Sequence, residues 1–147
     1  MKRPVAIGAA AALAAALLWL IAPGNDSQRI AQGQALYATH CASCHGKQLE
    51  GQPDWQTPLP NGRLPAPPHD AKGHSWHHAD EALIGITKFG LKPFAGEDYE
   101  SDMPAFGTKL RDREIAAIIG YIKSTWPARE LEYQERITRN AASSGSQ

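Results

Sequence analysis

The 147-residue chain is read as an all-α fold, on three observations. Apolar residues recur at three- and four-residue spacing in three separate segments, the period of an amphipathic helix. No alternating segments joined by a hairpin turn are found, and there is no internal repeat. Between the helical segments lie two long stretches dense in proline and glycine, residues 46–78 and 91–110. Such stretches are uncommon in a compact domain unless they are functional or packed on something else.

The elements follow in order. Met1, Lys2 and Arg3 give a positive start, and residues 5–22 are an uncharged run of eighteen, nine of them alanine. Eighteen helical residues reach about 27 Å, close to the thickness of a bilayer's hydrocarbon core. Ala22 and Gly24 form an imperfect cleavage site around Pro23. Residues 1–24 are therefore read as an N-terminal hydrophobic helix that is either a signal peptide or a membrane anchor. A run without a polar face, next to a basic N-terminus, fits a buried core helix poorly. Lys2 and Arg3 hold the N-terminus inside under either reading, so the remainder is exported. The expected location is the periplasmic side of the bacterial inner membrane, anchored, with a soluble periplasmic protein as the alternative.

The exported part, residues 25–126, opens behind Asn25, Asp26 and Ser27, all helix-capping types. Ile30, Gly33, Tyr37 and Cys41 then share one helical face. A second helix is expected from Asp80 to Phe89, with Leu83 and Ile86 on one side and Gly90 as its C-cap. A third runs from Asp112 to Thr125, where Ile115, Ile118, Ile119 and Ile122 form an apolar stripe. Beyond Trp126, Pro127 suits a helix start and residues 127–139 read as a solvated, charged helix. Residues 140–147 are small and polar and are expected to be disordered, completing a 127–147 extension.

Composition narrows the function. Lysine plus arginine and aspartate plus glutamate both number 15, so nothing points to nucleic acid or a strongly charged lipid surface. Eleven prolines and thirteen glycines make a small, loop-rich domain, which usually needs a staple. The two cysteines stand three positions apart and cannot lace such a domain by a disulfide. A metal or a cofactor is then the staple to look for, and a cofactor is the expectation.

The chemistry sits at Cys41-Ala42-Ser43-Cys44-His45. C-x-x-C-H is the attachment motif of c-type haem. Positions i, i+3 and i+4 of a helical turn face one way. Cys41 and Cys44 can thus reach two vinyl groups of one porphyrin while His45 meets the iron as the proximal ligand. A thioredoxin-like site would want a preceding strand, and here a helix precedes. A structural zinc site would want a second spaced ligand pair.

Residues 28–126 resemble a class I monohaem c-type cytochrome. That family carries a glycine and an aromatic eight and four residues before the first haem cysteine, and Gly33 and Tyr37 hold those places. Its last helix crosses the first at the glycine, a role that Ile118 and Tyr121 fit. Its sixth ligand is a methionine usually followed by proline, and Met103-Pro104 begins 58 residues after His45. The resemblance implies a small cytochrome c fold, three main helices and long loops wrapped round one covalent haem c. It implies Cys41 and Cys44 as attachment residues, and His45 and Met103 as axial ligands. Haem is attached in this family on the outer side of the membrane. With both axial positions filled the iron cycles between Fe(II) and Fe(III). The protein is then an electron carrier or a redox subunit serving partner proteins, and not itself a catalyst.

Two departures from the family pattern stand out. Arg111 occupies the cap before Glu114, leaving half a capping box, and residues 46–78 are long and rich in proline. A backbone carbonyl of that loop is expected to accept the Nδ1 hydrogen of His45. Arg63, Trp55 and Trp76 are candidate donors to haem propionates, with plain packing the alternative for the tryptophans. His69, His74, His77 and His78 suggest a second hypothesis, a copper or zinc site. A third is an open-haem enzyme, in which Met103 would be core. Glu97, Asp98, Glu100 and Asp102 either steer a basic partner or form an ordinary solvated loop.

The N-terminal alternatives separate cleanly in the mass spectrometer. An anchored chain retains residues 1–24 and needs detergent for extraction, whereas soluble material beginning at Asn25 decides for cleavage.

Overall fold

The computed structural model describes residues 26–144, and the hydrophobic segment at residues 1–24 lies outside them. Among the described residues there are helices and no strands. The order is α1 (Asp26–His40), α2 (Ala42–His45), a 3₁₀ turn (Ser75–His77), α3 (Asp80–Phe89), α4 (Lys92–Ala95), α5 (Asp112–Ser124) and α6 (Ala128–Ser144). No helix among the described residues is long and apolar enough to cross a membrane.

The core forms where α1 meets α5. Ile115, Ile118, Ile119 and Ile122 are buried along one face of α5, as their spacing requires. Tyr37 enters the same cluster from α1 and Phe106, Leu110 and Trp126 close it. At Gly33 the helix backbones nearly touch: a Cβ there would stand 2.0 Å from the Ala117 carbonyl oxygen and 2.9 Å from Tyr121 Cβ. Tyr121 is the expected partner, but Ala117, and not Ile118, makes the second contact. Where main chains cross this closely the nearest atoms are backbone, and Ile118 instead fills the core. Tyr37 stacks obliquely on Tyr121, ring centres 5.6 Å apart, and its hydroxyl donates to the Gly46 carbonyl at 2.9 Å. Burial raises the Tyr37 phenol above its ordinary pKa.

α3 has the expected bounds and ends at Gly90, whose φ is +80°. Leu83 and Ile84 pack on the core; Ile86, expected to share that side with Leu83, is half-buried outside the cluster. At the start of α5 the Glu114 carboxylate accepts the Arg111 backbone N–H at 2.9 Å and also meets the Arg111 guanidinium. Arginine has no acceptor to offer in return, so only the glutamate half of the capping box operates.

The C-terminal extension corrects two expectations. Helix α6 continues to Ser144, through residues 140–144 that were expected to be disordered. Ser143 and Ser144 turn their hydroxyls back onto the Asn140 carbonyl at 2.8 and 3.0 Å, and two alanines favour the helix between them. Nor is the helix simply solvated. Gln134 is wholly buried, and its amide Nε2 lies 2.7 Å from Asp80 Oδ1 and 3.1 Å from the His78 carbonyl. Thr138 accepts the Asp80 backbone N–H at 3.1 Å, and Lys123 binds both Asp80 oxygens at 2.7 and 2.8 Å. One aspartate thus gathers α3, α5 and α6.

The Gly33 crossing sets a stability test. Gly33→Ala puts a methyl into a backbone carbonyl, which cannot rotate away. The substitution should cost about 2 kcal/mol or more, read as a lowered midpoint in chemical denaturation. Stability equal to wild type would show that the helices can part there without penalty.

Candidate functional site

Cys41, Cys44 and His45 come together on the turn that ends α1 and forms α2. The ladder continues through them: Cys41 N–H donates to the Tyr37 carbonyl at 2.9 Å and His45 N–H to the Cys41 carbonyl at 2.9 Å. No disulfide joins the two cysteines, and Cys41 is half-buried and Cys44 exposed. In the chain before haem attachment, burial, with Cys44 nearby, pushes the Cys41 thiol up to about 11. His45 is buried, and burial holds its pKa below the ordinary histidine value, against the opposing pull of a hydrogen bond to Pro67. A neutral imidazole is the form that binds metal.

That hydrogen bond supplies the carbonyl expected from the long loop. His45 Nδ1 lies 2.8 Å from the Pro67 oxygen. A carbonyl can only accept, so Nδ1 carries the hydrogen and Nε2 keeps a free lone pair. The loop is built to bring Pro67 there. Gly51 and Gly73 bracket the two prolines: a Cβ on Gly51 would lie 2.4 Å from Pro68 N, and one on Gly73 would lie 1.9 Å from Pro68 O. Leu49, buried with φ +68°, turns its carbonyl inward to accept both the His69 and Asp70 N–H groups, at 2.8 and 3.2 Å. A left-handed leucine is strained and persists only where its surroundings hold it.

Met103 is half-buried and packs on the same core cluster as Cys41. Its own N–H donates to Ser101 Oγ at 3.1 Å. Behind it the chain is tied to α3, where the Phe106 and Gly107 N–H groups reach the Thr87 and Lys88 carbonyls at 3.0 and 2.9 Å. Ahead of it Arg63 bonds Glu100 at 2.7 Å and also Asp102, joining the two long loops. Arg63 thus bonds two carboxylates, so two of the four acids in the run before Met103 are paired.

The tryptophans pack. Trp76 donates its indole N–H to the Gly73 carbonyl at 3.1 Å, and Trp55 stacks on His74 at 5.3 Å. The four histidines do not all converge. His69 stacks on His45, His74 lies on Trp55 and meets the His78 ring edge-on at 5.4 Å, and His77 lies on Trp76 with ring centres 3.7 Å apart. Among the described residues no group of three or more His, Cys, Asp or Glu side chains is placed to hold a metal ion. Two cavities, of about 570 and 410 Å³, are lined by neither cysteine, nor His45, nor Met103. Sequence reasoning missed Pro67, Ser75 and Gln134; only the paired prolines gave any signal, and nothing in the spacing tied them to His45.

These residues fit haem c: two thiols lie on the turn just before a histidine whose Nε2 is left open. The family model for cytochrome c matches residues 30–126. The chain belongs to the cytochrome c family. It therefore has the small cytochrome c fold, binds haem c covalently and serves electron transfer. Cys41 and Cys44 have the spacing of the family's attachment motif. The gluconate 2-dehydrogenase cytochrome c subunit of Pantoea cypripedii is 29% identical over 108 residues, covering 70% of this chain. Those residues span 21% of that subunit's length. No solved structure matches.

Arg63 gives this region its test. Rim ion pairs are worth up to about 1 kcal/mol each, so Arg63→Ala should barely lower global stability. Limited proteolysis within residues 96–102 should nevertheless quicken, and high salt should quicken it in the wild-type protein as well. Identical cleavage rates in both proteins would show that the ion pairs do not hold the loop.

Proposed function

We propose that Cys41 and Cys44 carry a single haem c, that His45 and Met103 are its axial ligands, and that the protein passes single electrons outside the cytoplasm. Residues 5–22 anchor it to the membrane under this reading. It acts as a shuttle or as the redox subunit of a dehydrogenase. The observation that carries the proposal is the His45–Pro67 bond, which leaves Nε2 open on the turn that presents both thiols. The relative named as a dehydrogenase's cytochrome subunit supports the choice of partner.

Bound haem supplies a one-electron Fe(II)/Fe(III) couple. Everything else is done by the chain. Pro67 fixes the tautomer of His45 and raises its basicity as a ligand. Met103 offers a soft thioether that favours ferrous iron, and Pro104 stiffens the backbone beside it. With a residue on each side no open position remains for a substrate, which favours a carrier over an enzyme. Residues 25–126 form the redox domain, and α6 is an added brace and not a second module.

Replacing both Cys41 and Cys44 with alanine should abolish haem staining on a denaturing gel; retained covalent haem would sink the attachment reading. Met103→Ala should keep the stain, lower the reduction potential and let the reduced protein bind carbon monoxide. A six-coordinate spectrum and unchanged potential in that variant would move the ligand elsewhere.

A further inference from the structure

His69 belongs to none of the roles above, yet it is among the most firmly held residues of the loop. Its backbone N–H donates to the Leu49 carbonyl at 2.8 Å, and its own carbonyl accepts the Trp126 indole N–H at 2.7 Å. Its side-chain Nδ1 lies 2.8 Å from the hydroxyl of Ser75, itself buried in the 3₁₀ turn. With both ends of the residue fixed, the ring lies flat on the His45 imidazole, centres 4.0 Å apart and planes 24° from parallel. The Tyr37 ring closes in edge-on at 6.3 Å.

The arrangement meets a need that the Pro67 bond leaves open. A carbonyl oxygen accepts hydrogen over a broad range of directions, so one bond to Nδ1 aims the imidazole without fixing its plane. The last torsion of a histidine side chain is also a broad, soft one. A flat ring against the imidazole face removes that remaining rotation, since turning His45 would drive its edge into His69. We propose that His69 is a positioning residue for the axial ligand, its ring, pinned by Ser75, setting the rotational plane of the His45 imidazole. The proposal rests on the reading of His45 as an iron ligand.

Simple space-filling is the rival account. Leucine would fill much the same volume, but it offers no flat face and no bond to Ser75. The test therefore compares His69→Leu, His69→Phe and Ser75→Ala in the ferric holoprotein. Electron paramagnetic resonance g values and the spread of the haem methyl proton resonances report the plane of an axial imidazole. His69→Leu should keep covalent haem and the visible spectrum while shifting both signals and the reduction potential. Ser75→Ala should shift the same signals less, and His69→Phe, which restores a flat face, should lie nearer wild type than leucine does. Wild-type g values and methyl spread in His69→Leu would overturn the proposal, even if thermal stability fell. Should that variant fail to give holoprotein, Ser75→Ala decides by the same criterion. Failure of the underlying ligand reading looks different: the wild-type protein itself would then lack a histidine-ligated signature.

Discussion

A helix that must carry a large rigid group at its C-terminal end needs a fixed point, and α1 has it in the contact between Gly33 and the Ala117 carbonyl. Two helix backbones that touch leave little room to slide or to roll. Tyr37 lies one turn further on, wedged against Tyr121 and bonded to Gly46, and the cysteine turn follows directly. The placement of Cys41, Cys44 and His45 is thus inherited from a contact eight residues upstream of the first thiol. The buried isoleucines of α5 and Tyr37 of α1 share one apolar cluster, and its burial holds the two helices together.

The long loops are organised by backbone groups more than by side chains. Pro67 reaches His45 because Gly51 and Gly73 let the main chain pass on both sides of Pro68, and because Leu49 accepts an unfavourable φ to offer its carbonyl. On the other side, Phe106 and Gly107 fasten the methionine segment to the last turn of α3. Both loops are therefore irregular in dihedral angles yet well supplied with hydrogen bonds, as buried backbone requires. Arg63 ties one to the other at the rim.

Periodicity made the helices legible, since α3 and α5 owe their limits to an apolar stripe, a glycine stop and a glutamate at the third position. The attachment turn was legible because its chemistry demands fixed spacing. Less could be read where partners lie far apart in sequence. His45 and Pro67 are 22 residues apart, and Trp126 and His69 are 57 apart, with no pattern linking either pair. The histidine cluster was hard to read for a related reason: spacing in a loop fixes no common face, so His69 stacks on His45 and His77 on Trp76, while His74 and His78 meet edge-on. The docking of α6 was hidden because a charged sequence conceals one buried glutamine.

That docking has a consequence in time. Ala79, at the N-cap of α3, has no side-chain oxygen, and the hydroxyl that accepts the Asp80 N–H belongs to Thr138, 58 residues later. Chains emerge from synthesis N-terminus first. The cysteine turn is therefore delivered to its surroundings while the first turn of α3 still lacks its acceptor and Asp80 still lacks Gln134. For that interval the half-made protein has its tethering thiols but not the brace that closes the His78–Asp80 corner.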